Sequence, residues 1–127
     1  MALKVGNVVV IDDNRKLVLR STSTATAGVS LSINSDLFDE YIITAQDAAL
    51  TINADTGSPV DGQRLIIRIK DNSIARALAL TTGSTKSYRA IGITLPTTTI
   101  ANKTLYIGMV YNSADQRWDV LAANSEI

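Results

Sequence analysis

The stretch Asp61 to Asp71 (DGQRLIIRIKD) constrains this chain more than any other. Arg64, Ile66, Arg68 and Lys70 fall on one side of an extended backbone, and Leu65, Ile67 and Ile69 on the other. That period of two marks a strand with one buried and one wet face. Gly62 precedes it and Asp71-Asn72 follows it, which is turn chemistry at both ends. The stretch reads as the central strand of an antiparallel β-fold. Its neighbours must then be strands as well.

The rest of the chain supplies them. Val8-Val9-Val10-Ile11 is β-branched throughout, Asp12 to Arg15 reads as a turn, and Lys16-Leu17-Val18-Leu19-Arg20 reads as a returning strand. An isolated hairpin is marginal in water, so this one needs a surface to dock on. Ser21 to Ala27 (STSTATA) has little to bury and reads as an extended linker or arm. Residues 1–27 are thus an N-terminal hairpin with its linker, and residues 28–127 are the body.

Within the body, Val29, Leu31 and Ile33 alternate with serines. Leu37 to Glu40 reads as a loop or one helical turn capped by Ser35 or Asp36. Tyr41 to Ala45 and Leu50 to Ala54 read as strands, as does Ile74 to Leu80 with its all-alanine second face. Pro59 and Pro96 keep their neighbourhoods at an edge or outside the sheet. Leu105, Ile107, Met109 and Tyr111 share a face, Asn112 to Asp115 turns, and Arg117 to Leu121 returns with Trp118 and Val120 on one side. About eight to ten short strands at turn spacings of about 8–12 residues predict an all-β, antiparallel β-sandwich or jelly-roll-like body. Aromatic residues make up only 5% of the chain, so the core is built from Val, Ile, Leu and Ala, which suits sheets packed face to face.

Composition removes most chemistry. With no histidine and no cysteine, Ser-His-Asp and Cys-His nucleophiles, disulfides and His- or Cys-based zinc sites are all excluded. Twelve basic residues balance twelve acidic ones, which is not the footprint of a nucleic-acid binder or of a polybasic membrane surface. No apolar run is long enough for a membrane helix, and no basic-then-apolar leader opens the sequence, so use without Sec export is expected. Close carboxylates occur at Asp12-Asp13, at Asp36 with Asp39-Glu40, and at Asp55 with Asp61. The first and last sets lie in turns, where Asp serves the backbone, so no enzyme is expected. The Asn53 to Asp61 loop offers oxygen ligands but lacks the fixed spacing of a calcium loop. No cofactor and no metal is predicted.

Two surfaces remain as candidates for partners. One is the apolar hairpin, through Val8, Val9, Val10, Ile11, Leu17, Val18 and Leu19. The other is the basic stripe of Arg64, Arg68 and Lys70, which reads first as the wet face of a sheet and second as a seat for an acidic partner. Trp118 alternates with Val120 and reads as a core anchor; with Tyr106 and Tyr111 it would otherwise suggest a glycan platform.

The segments YIITAQDAALTINADTGSPVDGQRLIIRIKDNSIARAL and ITLPTTTIANKTLYIGMVYNSADQRWDVLA resemble a small β-domain of tailed-bacteriophage virion proteins. The opening MALKVGNVVVIDDNRKLVL resembles the strand-turn-strand at the start of many phage fibre and virion proteins. The resemblance implies a homotrimer of β-sandwiches and transfers no catalytic residue. A fibre needs an anchor, a shaft and a tip, whereas a capsid decoration (cement) protein needs only a compact body and a gripping arm. The expected role is therefore a cement protein on the outer surface of the capsid, bound to the major capsid protein as a trimer. The alternative is a tail-fibre or spike module that recognises a host surface glycan.

Overall fold

The computed structural model describes residues 3–6, 8–11 and 22–127. Among these it is all-β, with no helix. The strands are β1 (Leu3–Val5), β2 (Val8–Ile11), β3 (Thr22–Ala25), β4 (Ser30–Leu31), β5 (Glu40–Gln46), β6 (Leu50–Ile52), β7 (Arg64–Asp71), β8 (Leu78–Leu80), β9 (Ser87–Ala90), β10 (Thr104–Asn112) and β11 (Arg117–Ser125). They form a two-stranded sheet β1-β2, a six-stranded sheet β3-β5-β7-β10-β11-β9 and a three-stranded sheet β4-β6-β8.

The sheets are mixed, which corrects the antiparallel reading. β3, β5 and β7 run parallel to one another, as do β4, β6 and β8, and β9 runs parallel to β11. Only β7-β10, β10-β11 and β1-β2 are antiparallel. The reason lies in the path of the chain. From β3 to β8 it visits the larger and the smaller sheet in turn, laying each new strand beside the one placed a full circuit earlier. Coil 1 (β3, β4), coil 2 (β5, β6) and coil 3 (β7, β8) therefore stack as in a parallel β-solenoid. The antiparallel pair β10-β11 then covers β7.

The alternation of β7 is as expected: Leu65, Ile67 and Ile69 are fully buried, and Arg64 and Ile66 are exposed. One hydrophobic core joins these residues and Leu105, Ile107, Met109, Trp118 and Val120 of the larger sheet with Leu31, Leu50, Ile52, Leu78 and Leu80 of the smaller one. Burying a side chain of this size contributes about 1.5–3 kcal/mol, so the shared core holds the two sheets together.

Several local expectations change. Thr22 to Ala25, read as part of a linker, is an edge strand paired with Glu40 to Ile43. Its small polar residues bury little, but their backbone continues the ladder. Val8 to Ile11 is a strand, yet its partner is Leu3 to Val5, across a turn that uses Gly6 at φ 61°. The expected turn at residues 12–15 and returning strand at residues 16–20, with Leu17, Val18 and Leu19, lie outside the described residues. Leu37 to Glu40 is not helical: Leu37 and Phe38 close turns on the Asn34 carbonyl, and β5 begins at Glu40. Ile74 to Leu80 pairs as a strand only from Leu78.

Buried polar side chains fasten the corners. Gln46 donates to the Gly28 and Ala48 carbonyls, 2.6 Å each, and accepts from the Gly28 N–H at 3.1 Å. Asp71 accepts from the Thr99 hydroxyl at 2.6 Å and from the Asn102 N–H at 3.2 Å. Thr99 in turn accepts from the Arg76 N–H at 2.8 Å, so the loops after β7 and before β10 are bound to each other.

Candidate interaction surface

The outer face of the six-stranded sheet carries the basic stripe. Arg68 lies 3.5 Å from Glu40 of β5, and its guanidinium sits 5.9 Å from the centre of the Tyr106 ring on β10. The contact with Tyr106, reinforced by the Glu40 charge, holds the guanidinium above its ordinary pKa range. Lys70 pairs with Glu126 at 3.0 Å and donates to the Asn102 carbonyl at 2.6 Å. Bonds from Lys70 and from the Thr104 N–H hold the Glu126 carboxyl below its ordinary value. Two of the three cations are thus tied within their own sheet. Arg64 is exposed and has no ion-pair partner among the described residues.

Across this charged row, through Ile66 between Arg64 and Arg68, runs an apolar one. Ile66 pairs with Gly108, and Gly108 with Ala122, so three uncharged residues cross three neighbouring strands. Ile66 is 42% exposed and Leu121, next to Ala122, is 51% exposed. Nothing stands within 4 Å of where a Gly108 side chain would begin, so the row is notched at its centre. A shallow groove of about 320 Å³ lies alongside, between Ile42 and Thr44 on one flank and Arg68, Lys70, Tyr106 and Glu126 on the other.

Several of the described carboxylates are engaged by neighbours in the chain. Asp36 accepts from the Ser58 N–H at 2.9 Å, Glu40 faces Arg68, and Asp61 accepts from the Ser113 N–H at 2.9 Å. Asp12 and Asp13 lie outside the described residues. Asp55 is buried in the core, where it accepts from the Ser35 N–H (3.0 Å) and hydroxyl (2.5 Å), the Gly57 N–H (2.7 Å) and the Trp118 indole (3.2 Å). Four donors aimed at one carboxylate satisfy its oxygens from within the chain, the opposite of an oxygen cage waiting for a cation. No group of three or more potential metal ligands occurs among the described residues.

No family model, curated protein or solved structure matches the chain.

Of the aromatics that suggested a glycan platform, Tyr111 and Trp118 are core, with ring centres 5.2 Å apart. Only Tyr106, 47% exposed, faces outward, and Arg68 lies over its ring. Among the described residues the stripe and the hairpin are not brought into one hydrogen-bonded unit: β1 and β2 pair there with each other and with no third strand. The sequence reading missed the Asp55 knot, since a lone Asp in a Gly-Pro loop gives no sign that its carboxylate turns inward. It also missed the apolar row, because Ile66, Gly108 and Ala122 become neighbours only through pairings far apart in sequence.

Proposed function

We propose that this chain is a structural component of a tailed-bacteriophage particle, and that it decorates the capsid shell as a homotrimeric cement protein. The observation that carries the reading is the β1-β2 hairpin, a small sheet of its own beside a body that is closed by one core. Two sheets around a single core also suit the β-sandwich body that the resemblance implies. A hairpin too small to be stable alone supplies strand edges to a neighbour, and pairing along an edge joins proteins through backbone hydrogen bonds. Because such an arm engages the assembled shell and not its dispersed subunits, it stabilises the assembly by mass action. Deleting residues 1–20 and measuring occupancy on purified capsids tests this; loss of occupancy is expected, and unchanged occupancy would sink the idea.

One observation favours a second reading, a fibre or spike tip. The coil stack is covered beyond β7 and open beyond β3, the polarity expected of a cap seated on a preceding shaft. Saturable binding of the isolated protein on a glycan array or on host cells would favour that role over the shell.

A further inference from the structure

The coil stack is finished on one side and unfinished on the other. On the finished side β10 lies along β7, and residues 97–99 lie along the approach to β8, with Leu78 N–H on the Thr97 carbonyl (2.8 Å) and Thr99 N–H on the Arg76 carbonyl (2.9 Å). On the other side β3 and β4 are both end strands. The carbonyls of Thr26, Val29, Leu31 and Ile33 accept from the N–H groups of Ala45, Thr51, Asn53 and Thr56. Backbone groups of successive strand residues point to opposite sides, so Ser23 in β3 and Ser30 in β4 turn theirs away from coil 2, while the Ala25 carbonyl at the end of β3 accepts from the Thr44 hydroxyl at 3.3 Å. From Ser21 to Ser35 there is no charged residue and no proline, the two usual protections of an exposed strand.

The same chain holds the complementary deficit. Among the described residues the β1-β2 hairpin has no further strand on either edge, and Val5 within it is 69% exposed. Strand β2 has four residues, as β3 has, and its sequence VVVI carries no charge. Residues 12–21 lie between the two strands in the sequence, and a chain spans at most about 3.3–3.6 Å per residue. Among the described residues of the single chain, the hairpin does not pair with its own β3.

We propose that the open edge of coil 1 accepts the β1-β2 hairpin of a second copy, β2 against β3, so that each copy both gives and receives a strand. Such a heterologous contact closes into a ring when its rotation permits, and otherwise it propagates. A second copy fits this edge because the strands β2 and β3 are both uncharged and each copy carries both halves. A charged foreign strand would gain nothing electrostatic there. The exchange leaves the β1 edge free for the shell, and it is read on the free protein, so its failure is separable from failure of the capsid assignment.

The chain has no cysteine, which makes cross-linking clean. Full-length Val9→Cys and Ser23→Cys variants, mixed by co-refolding and treated with a short bismaleimide, are expected to give a species of twice the chain mass that contains one of each. Ser23→Pro, which removes only an outward N–H, is expected to shift mass photometry from oligomer to monomer with the far-UV spectrum retained. Val10→Pro, outside the body, is expected to do the same, and guards against misfolding of the first variant. Neither the wild-type oligomer nor the cross-link should weaken in high salt. A wild-type monomer at micromolar concentration, a double Val9→Cys/Ser23→Cys variant that cross-links only within one chain, or an oligomer that survives both prolines would overturn the proposal.

Discussion

The indole N–H of Trp118 donates to the buried carboxylate of Asp55, 3.2 Å away. Trp118 lies on β11, and Asp55 lies in the loop after β6. One carboxylate therefore ties the covering hairpin to coil 2, and through Ser35 to the end of coil 1 as well.

Replacing Asp55 with Ala leaves the Ser35, Gly57 and Trp118 donors buried without an acceptor. The expected loss is about 3 kcal/mol of unfolding free energy, since each stranded donor forfeits its desolvation. Asp55→Asn keeps one acceptor and is expected to lose less. Urea denaturation followed by Trp118 fluorescence measures both.

Two glycines make a matched pair of tests. A side chain at Gly57 would begin 2.6 Å from the Ser35 hydroxyl and 2.8 Å from the Asp36 backbone nitrogen, and that backbone cannot yield. Gly57→Ala is expected to cost about 1–3 kcal/mol. Gly108 sits in a strand with open space above it, so Gly108→Ala is expected to be neutral or to stabilise by about 0.4–1 kcal/mol, by restricting the unfolded chain. Equal thermal melting temperatures for the two variants would contradict this contrast.

Tyr88 is fully buried, and its hydroxyl has no hydrogen-bond partner. Burial, and secondarily the charge of Asp55, push its phenol well above the ordinary range. A phenol raised in the folded state contributes its full stability below its unfolded pKa of about 10, and that contribution is lost as pH rises beyond it. Stability is therefore expected to fall above about pH 10. Tyr88→Phe removes both the unpaired hydroxyl and its titration, so it is expected to be neutral or to stabilise by about 1 kcal/mol and to flatten the alkaline limb. Melting temperatures from pH 8 to 11 for the two proteins decide the matter.

Thr99→Val deletes the hydroxyl that bridges Asp71 to the Arg76 N–H. A loss of about 2 kcal/mol is expected, because a buried charged acceptor loses a donor. Hydrogen exchange should quicken first in residues 72–77 and 97–103, the two loops this side chain joins.

Faces were legible in the sequence, and neighbours were not. The alternation of Leu65, Ile67 and Ile69, of Leu105, Ile107 and Met109, and of Trp118 with Val120 identified buried faces that the structure bears out. Period two reports which side of a strand is apolar and says nothing of what lies beside it. Thr22 sits beside Glu40, and Glu40 beside Ile66, through loops whose lengths differ and leave no fixed repeat to detect. Thr22 to Ala25 was missed as a strand because an edge is held by backbone bonds, which small polar residues do not advertise. Arg68 and Lys70 looked available for a partner, but Glu40 and Glu126 arrive beside them only once the sheet is assembled.

The circuit from sheet to sheet also governs how the chain can acquire its structure. Each parallel strand of the body must wait for a partner a whole coil away, whereas β10 and β11 are joined by a tight turn at Asn112 to Gln116. Closing long loops before any contact rewards them slows folding. On a ribosome the coils emerge first, and the strands that cover coil 3 and carry Trp118 to Asp55 emerge after them. Completion of the core is thus an event that follows synthesis of β11, and until then the nascent chain presents unpaired strands to whatever stands nearby.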